Sequence, residues 1–341
     1  MIGDWSSLIG NTHVPKWLGA AIANGRLGGS LLFVGPNGVG KRSVASLLAR
    51  TLLCTRQPAE SMSPCGTCES CVQVTAETHP DVIRVRKPDD KTLIPLELLI
   101  GRPENRMQEG FCRDIRLKSY YGKRKVAILE DADYLNEEGA NCLLKTLEEP
   151  PSNALVILIG TSEQKQLPTI RSRCQVIRFA PLSPGDAARL LRQDEQIDAS
   201  DEQIADAVEI SAGDMHVARR LLDDQLRQFR DSFVATLDDA NPDPIAIRRL
   251  FNDKVDEAGK DASAKRAVMK DVLSISIQHF RNKMRTQALA GVATGQTRSR
   301  LDRCVRAVRE VDRMANASTL VDCFAADIAS AATGDRGGIG S

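Results

Sequence analysis

Residues 35–43 read Gly35-Pro36-Asn37-Gly38-Val39-Gly40-Lys41-Arg42-Ser43. A G-x-x-x-x-G-K loop between a strand and a helix turns backbone N–H groups and a helix N-terminus toward phosphates, while its lysine reaches the outer phosphates. The position after that lysine ordinarily supplies a hydroxyl to Mg²⁺. Here it is Arg42, whose guanidinium has no lone pair to offer and carries the wrong charge. Ser43 comes one residue late, turned by about 100° around the helix, and is a poor substitute. Farther along, Glu130-Asp131 ends an apolar run where this class of ATPase carries an aspartate near Mg²⁺ and then a glutamate that activates water. Both carboxylates are present with their lengths exchanged, and geometry is the first requirement of a general base. The pattern predicts a site built on a nucleotide-handling plan, with two defects that argue against ATP turnover and leave ATP binding open.

A second group of chemistry-bearing residues is Cys65-x-x-Cys68-x-x-Cys71, with Cys54 eleven residues upstream. Four thiolates in one short segment satisfy tetrahedral zinc and leave it no vacant position, which makes such a site structural. An iron–sulfur cluster or a redox pair is the competing reading, but no redox partner motif accompanies the cysteines. Cys112, Cys142, Cys174, Cys304 and Cys323 are scattered, and buried free thiols are expected there.

These residues need elements to hold them. Ser30–Val34 is a short apolar run entering the glycine loop, and KRSVASLLARTLL after it has apolar residues at helical spacing. Val126–Leu129 and Ala154–Ile159 read as two more strands buried on both faces, the second ending in Gly160-Thr161-Ser162. Between them GANCLLKTLEE is helical and stops at Pro150-Pro151. Strands alternating with helices predict a parallel sheet with functional residues, Thr161 included, at the strands' C-terminal ends. After about residue 180 the pattern turns helical with no further strand, and Pro181 and Pro184 mark a domain edge. GVATGQTRS reads as a loop between helices, and the tail DRGGIGS is expected to fray.

The chain has 341 residues, 42% hydrophobic and 27% charged, enough for two or three domains with substantial cores. A net charge of +1 excludes a polyanion binder driven by bulk charge, so nucleic-acid contact would need a local patch or partners. No apolar run approaches the length needed to span a bilayer and no signal peptide is recognised, so a cytoplasmic protein is expected, its cysteines reduced or holding metal.

In chain order, GPNGVGK, the cysteine module from Cys54 to Cys71, THPD at 78–81, GKRKVAILEDAD at 122–133, LLKTLEEPP at 143–151 and LPTIRSRCQ at 167–175 resemble bacterial DNA polymerase III clamp-loader subunits of the AAA+ class. The likeness is nearest to the delta-prime type. It covers nearly all of the first 180 residues; beyond them it rests on helical character and length. The resemblance implies an AAA+ P-loop-type α/β domain over 1–180 with a four-cysteine zinc module at 54–71, a small helical lid over 181–225 and a helical collar over 226–341 that assembles a ring. It implies gamma/tau and delta subunits as partners, with the sliding clamp and primed DNA reached through the complex, and no membrane. It also implies that Arg173, in Ser172-Arg173-Cys174, is presented to ATP in a neighbouring subunit, where a fixed guanidinium offsets charge on the transferred phosphoryl group. The bland alternative for Arg173 is a surface ion pair.

Three departures separate this chain from the ATP-hydrolysing gamma/tau type: Arg42, the exchanged Glu130-Asp131, and Gly213-Asp214-Met215-His216 where a G-S-x-R pattern would place a phosphate-sensing arginine. Together they imply a non-catalytic subunit of a DNA-directed DNA polymerase assembly. A self-sufficient gamma/tau-like ATPase subunit and a standalone DNA-binding zinc protein are the rival readings. The stretch from LELLIGRPENRMQEGFC to Arg116 is longer than the family's usual linker, and the sequence offers no mechanism for it.

Overall fold

The computed structural model describes residues 4–330, apart from 195, 212, 240, 260 and 314–315. The tail DRGGIGS lies outside the described residues. The chain divides into two compact units, Met1–Asp194 with Ala212–His216, and Glu195–Ser211 with Val217–Ser341.

The first unit is built on five parallel strands, β1 (Ser30–Val34), β2 (Val82–Val85), β3 (Lys125–Leu129), β4 (Ala154–Gly160) and β5 (Gln175–Arg178), in the order β2-β3-β4-β1-β5. Every residue of β1, β3 and β4 is buried. Those are the three strands that the continuous apolar runs predict, since a central parallel strand is covered on both faces. The other two strands were not predicted. β2 and β5 are four-residue edge strands whose positions are mostly half-buried or exposed, so no apolar run marks them.

Among the described residues this unit has eight α-helices besides short 3-10 turns: α1 (His13–Ala23), α2 (Lys41–Leu53), α3 (Glu69–Thr75), α4 (Leu96–Ile100), α5 (Phe111–Asp114), α6 (Glu137–Glu148), α7 (Pro168–Arg171) and α8 (Pro184–Arg192). The start of α6 is fixed locally: the Asn136 side chain accepts the Gly139 amide at 2.8 Å, and Glu137 and Glu138 complement the positive end of the helix dipole. Its Leu143 and Leu147 enter the core with Leu32, Leu129 and Leu158 of the strands. Each such side chain contributes about 2–3 kcal/mol through burial.

The second unit is helical: α9 (Asp201–Ser211), α10 (Met215–Leu221), α11 (Asp224–Asp238), α12 (Pro244–Asp256), α13 (Ala262–Leu289), α14 (Gly295–Asp312) and α15 (Ala317–Ser330), the first two residues of α10 belonging to the first unit. Phe233, Phe251, Phe280 and Phe324 are fully buried at its centre, with ring centroids 6.2 Å apart for Phe233–Phe251 and 5.7 Å for Phe251–Phe324. The predicted loop over 291–299 ends early, because α14 already begins at Gly295. The buried stripe of α14 opens with Thr297 and Arg300 before Cys304 and Ala307, and polar residues conceal a helical period from hydropathy. As expected, the described residues contain no strand after Arg178. Among them no helix is long and apolar enough to cross a membrane.

Candidate functional site

The glycine loop leaves the C-terminal end of β1 and enters α2 at Lys41. Gly38 has φ +76°, and a Cβ there would sit 2.5 Å from Met215 Cβ and 3.0 Å from the His216 amide nitrogen, so only glycine admits this close approach. Gly40 caps α2 at φ 92° with no side-chain hydrogen bond, which leaves the first-turn amides to the loop's concave side. Lys41 is 6% exposed, and its ammonium donates to the Gly35 and Pro36 carbonyls at 2.5 Å each. Burial pulls its pKa down to about 8, against the pull of Asp133 and Asp214.

Arg42 and the exchanged carboxylates, which look like two separate defects in the sequence, meet in space. Arg42 Nε lies 2.7 Å from Glu130 Oε2, and its Nη2 lies 3.3 Å from Asp131 Oδ1. Asp131 reaches this place through a left-handed backbone, φ 57°, which aspartate tolerates better than most residues. A second guanidinium closes the other side: Arg84 Nη1 is 3.5 Å from Glu130 Oε1 and 3.4 Å from Glu77, and its Nη2 donates to Ser46 Oγ at 2.6 Å. Burial raises the Glu130 pKa while Arg42 and Arg84 oppose it. A hydrated Mg²⁺ does not fit this arrangement, because the carboxylates that would face it already hold the arginine that replaced its hydroxyl ligand. Ser43 lines an open cleft of about 450 Å³ beside Arg84 and Glu77. Arg84 was missed in the sequence because its strand was missed.

Thr161, which follows the last residue of β4, is tied to Asp133: its amide and hydroxyl both donate to Asp133 Oδ2, at 2.8 and 2.5 Å, and Gln166 Nε2 donates to Oδ1. Asp133 in turn acts electrostatically on Lys41, so Thr161 reaches the loop through a carboxylate that the sequence reading did not single out. Residues 213–216 do come to the loop, through the Met215 and His216 backbone against Gly38. The His216 amide donates to Asp214 Oδ1 at 2.9 Å, and its side chain is exposed.

Cys54 caps the C-terminal end of α2, and Cys68 N-caps α3. With Cys65 and Cys71 they bring four sulfurs within 4.8 Å of one another. A zinc tetrahedron with Zn–S near 2.3 Å has S···S edges of about 3.8 Å, and Cys65 Sγ to Cys71 Sγ is 4.0 Å. Backbone amides of Gln57, Cys65, Cys68 and Cys71 donate to sulfurs at 3.3–3.5 Å, a donor set that favours thiolates. Burial alone would raise the Cys68 thiol, but hydrogen bonds from Thr55 and the Cys71 amide bring it down to about 5, while burial pushes Cys71 up. The residues fit zinc. The same assembly explains THPD: His79 Nε2 bonds Ser70 Oγ of α3 at 2.8 Å, its Nδ1 accepts the Asp81 amide at 3.0 Å, and the buried Asp81 carboxylate takes the Tyr120 and Tyr121 amides at 2.6 and 3.0 Å. Of the remaining cysteines, Cys112, Cys174 and Cys304 are buried as expected, with thiols pushed up to about 11, 12 and 12 by burial. Cys142 is half-buried, and Cys323 is exposed on α15, contrary to the expectation of a buried thiol.

Compared with known proteins, residues 10–183 match the family model described as DNA polymerase III, delta subunit, a span of just over half the chain that takes in all five strands, the cysteine module and Arg173. The chain belongs to this DNA polymerase III delta-subunit family. Within it, the chain is 37% identical over 208 residues to DNA polymerase III subunit delta' of Pseudomonas aeruginosa and 34% identical over 209 residues to that of Bacillus subtilis. These stretches cover 60% and 59% of this chain and 58% and 59% of the two relatives. It is also 34% identical over 192 residues to the gamma/tau subunit of Mycobacterium tuberculosis, covering 55% of this chain and 30% of that one. The chain therefore spans less than two thirds of the length of each relative.

Two features inside the family span remain. Arg173 lies just before β5, at the N-terminal end of a parallel sheet whose opposite, C-terminal end carries the glycine loop. A strand's length, about 13 Å or more, separates them, so the sheet does not bring Arg173 to its own chain's loop. Its guanidinium pairs instead with Glu148: Nε donates to Oε1 at 2.6 Å, and Nη2 reaches the same oxygen. The long segment before residue 122 also finds its form. Leu99, Ile100, Phe111, Cys112 and Ile115 are buried in the core of this unit, and only residues 102–109 between them form an exposed excursion.

Proposed function

We propose that this chain is a delta-prime-type subunit of a DNA polymerase III clamp loader, and that it assists ATP hydrolysis in a neighbour without turning over ATP itself. In this reading residues 1–180 form the AAA+ domain, 181–225 a lid and 226–341 a collar that joins gamma/tau and delta subunits in a ring. The assembly places a sliding clamp on primed DNA, in the cytoplasm. Cys54, Cys65, Cys68 and Cys71 hold a structural Zn²⁺, which when bound neutralises and cross-links the thiolates. The observation that carries the non-hydrolysing part is the pairing of Arg42 with both Glu130 and Asp131: the candidate metal-side carboxylate and the candidate base are occupied by a cation from their own chain. Gly35, Gly38, Gly40 and Lys41 keep a cradle for phosphates, with Thr161 linked to it through Asp133, so a nucleotide can be held without being cleaved.

The position of Arg173 at the other end of the sheet from this cradle supports a role in trans, where its charge would stabilise a phosphoryl group held by a gamma/tau-type neighbour. Arginine fingers of this kind contribute about 10³–10⁵ in turnover in related chemistry. The test is ATP turnover by the purified chain, expected at background with or without Mg²⁺. Robust Mg²⁺-dependent hydrolysis by the chain alone would establish the rival reading, a gamma/tau-like ATPase subunit. In the reconstituted complex, Arg173→Ala is expected to remove most turnover at one site.

A further inference from the structure

Arg173 does not stand ready in the free chain. A guanidinium has five N–H donors. Here Nε and one Nη2 proton go to Glu148, and Nη1 donates to the Thr169 carbonyl at 3.0 Å and to Ser172 Oγ at 3.2 Å. Four of the five positions are thus engaged within the chain, yet the pair lies at the surface, with side-chain exposures of 29% for Arg173 and 48% for Glu148. The carboxylate itself is awkwardly placed: Glu148 is the last residue of α6, at the negative end of the helix dipole, just ahead of Pro150 and Pro151. A carboxylate there is held by its partner rather than by its helix. It grips the guanidinium along one edge, in the way that a phosphate oxygen would.

We propose that Glu148 is a positioning residue, the resident counter-anion of Arg173, which holds the guanidinium against this chain until a phosphate oxygen of a nucleotide bound by a neighbouring subunit displaces it. This rests on the reading of Arg173 given above. The exchange trades one charge-assisted contact for another, so its cost is that of an exposed ion pair, and the neighbour's nucleotide is engaged only against that competition. The competition bears on the bound nucleotide and on the transition state alike, because either must first dislodge the carboxylate. It therefore acts on KM rather than kcat.

The experiment uses the reconstituted complex with parent chain, Glu148→Gln, Arg173→Ala and the double variant, reading ATP turnover against ATP concentration and, separately, the affinity for a fluorescent non-hydrolysable ATP analogue. Glu148→Gln is expected to lower KM and tighten analogue binding about two- to fivefold, with kcat unchanged and the melting temperature of the chain unchanged. In the Arg173→Ala background the same substitution is expected to do nothing. An unchanged or raised KM in Glu148→Gln, while Arg173→Ala still lowers turnover, would overturn the Glu148 proposal alone. So would an equal shift in the Arg173→Ala background, because Glu148 would then act elsewhere. If Arg173→Ala leaves turnover intact, the finger reading falls, and the role of Glu148 falls with it.

Discussion

Helix α2 begins at the glycine loop and ends thirteen residues later beside Cys54, and the charges at its two ends are treated in opposite ways. At the loop end, Arg42 sits between Glu130 and Asp131, Arg84 closes on Glu130 from the other side, and the lysine ammonium is satisfied by loop carbonyls. At the cysteine end, four sulfurs and the amides that favour their ionised form are gathered, while the nearby Lys123 and Arg56 donate to the Cys54 carbonyl and to Thr67 Oγ1 rather than to a sulfur. The contrast separates a site whose carboxylates have found cations in their own chain from a cluster of four sulfurs close enough to hold a metal ion. Thiolates gathered close together are costly without a counter-ion, so on the zinc reading proposed above the cysteine end is where a bound cation would add most to stability.

The contrast can be broken first at its strongest point. Cys68→Ser, or chelation of the parent chain, is expected to remove much of the metal's contribution to folding, which for structural zinc is on the order of 10 kcal/mol, seen as a large fall in melting temperature together with loss of one zinc per chain by atomic emission. A melt indifferent to chelator would remove the zinc reading and with it this side of the comparison.

At the loop end the effects are smaller and carry a pH signature. Lys41 titrates at about 8 in the folded chain, against 10.5 for an unburied lysine, because burial disfavours its charge. Its folded pKa is lowered, so the penalty is fully present below pH 8 and relieved as pH rises from 8 toward 10.5. Lys41→Met removes the titration. The stability of the variant relative to the parent should therefore be highest below pH 8 and decline by about 1–3 kcal/mol across that window, as measured by urea unfolding at several pH values. A flat difference would show that the ammonium carries no such burden.

The smallest effect sharpens the comparison. Arg42 is half exposed, so Arg42→Ala is expected to cost only about 1 kcal/mol, from leaving the nearly buried Glu130 with Arg84 alone. Pairing it with Glu130→Gln should recover most of that loss. An additive double variant in the same unfolding assay would mean that the two residues are not coupled.

How much of this was legible depended on whether a residue's role is written in its neighbours. The bounds of α2 and the centres of β1, β3 and β4 follow from local apolar patterns, and the structure reproduces them. The cysteine cluster was legible from spacing, since close sequence separation forces closeness in space. β2 and β5 were not, because an edge strand is half wet and four residues carry too short a pattern. With β2 went Arg84, and so the second guanidinium on Glu130. The contact between Arg42 and residues 130–131 joins positions 88 and 89 apart in the chain, and each looked like an isolated defect until the parallel register brought them together. Glu148 was read within a motif, but nothing local says which cation it faces.

The exposed excursion over 102–109 has a practical use. A Cβ on Gly110 would stand 2.8 Å from the Gly101 amide nitrogen, so the segment leaves and returns through a neck closed by two glycines. Both flanks are anchored in the core by Leu99, Ile100 and Phe111. Beyond the neck Arg106 ties the excursion to Glu138 of α6 at 3.1 Å, an exposed pair that an insertion should spare, which makes residues 103–104 a natural place to splice in a fluorophore-accepting peptide. Such a label would report on assembly while leaving both ends of α2, and Arg173 with its carboxylate, untouched.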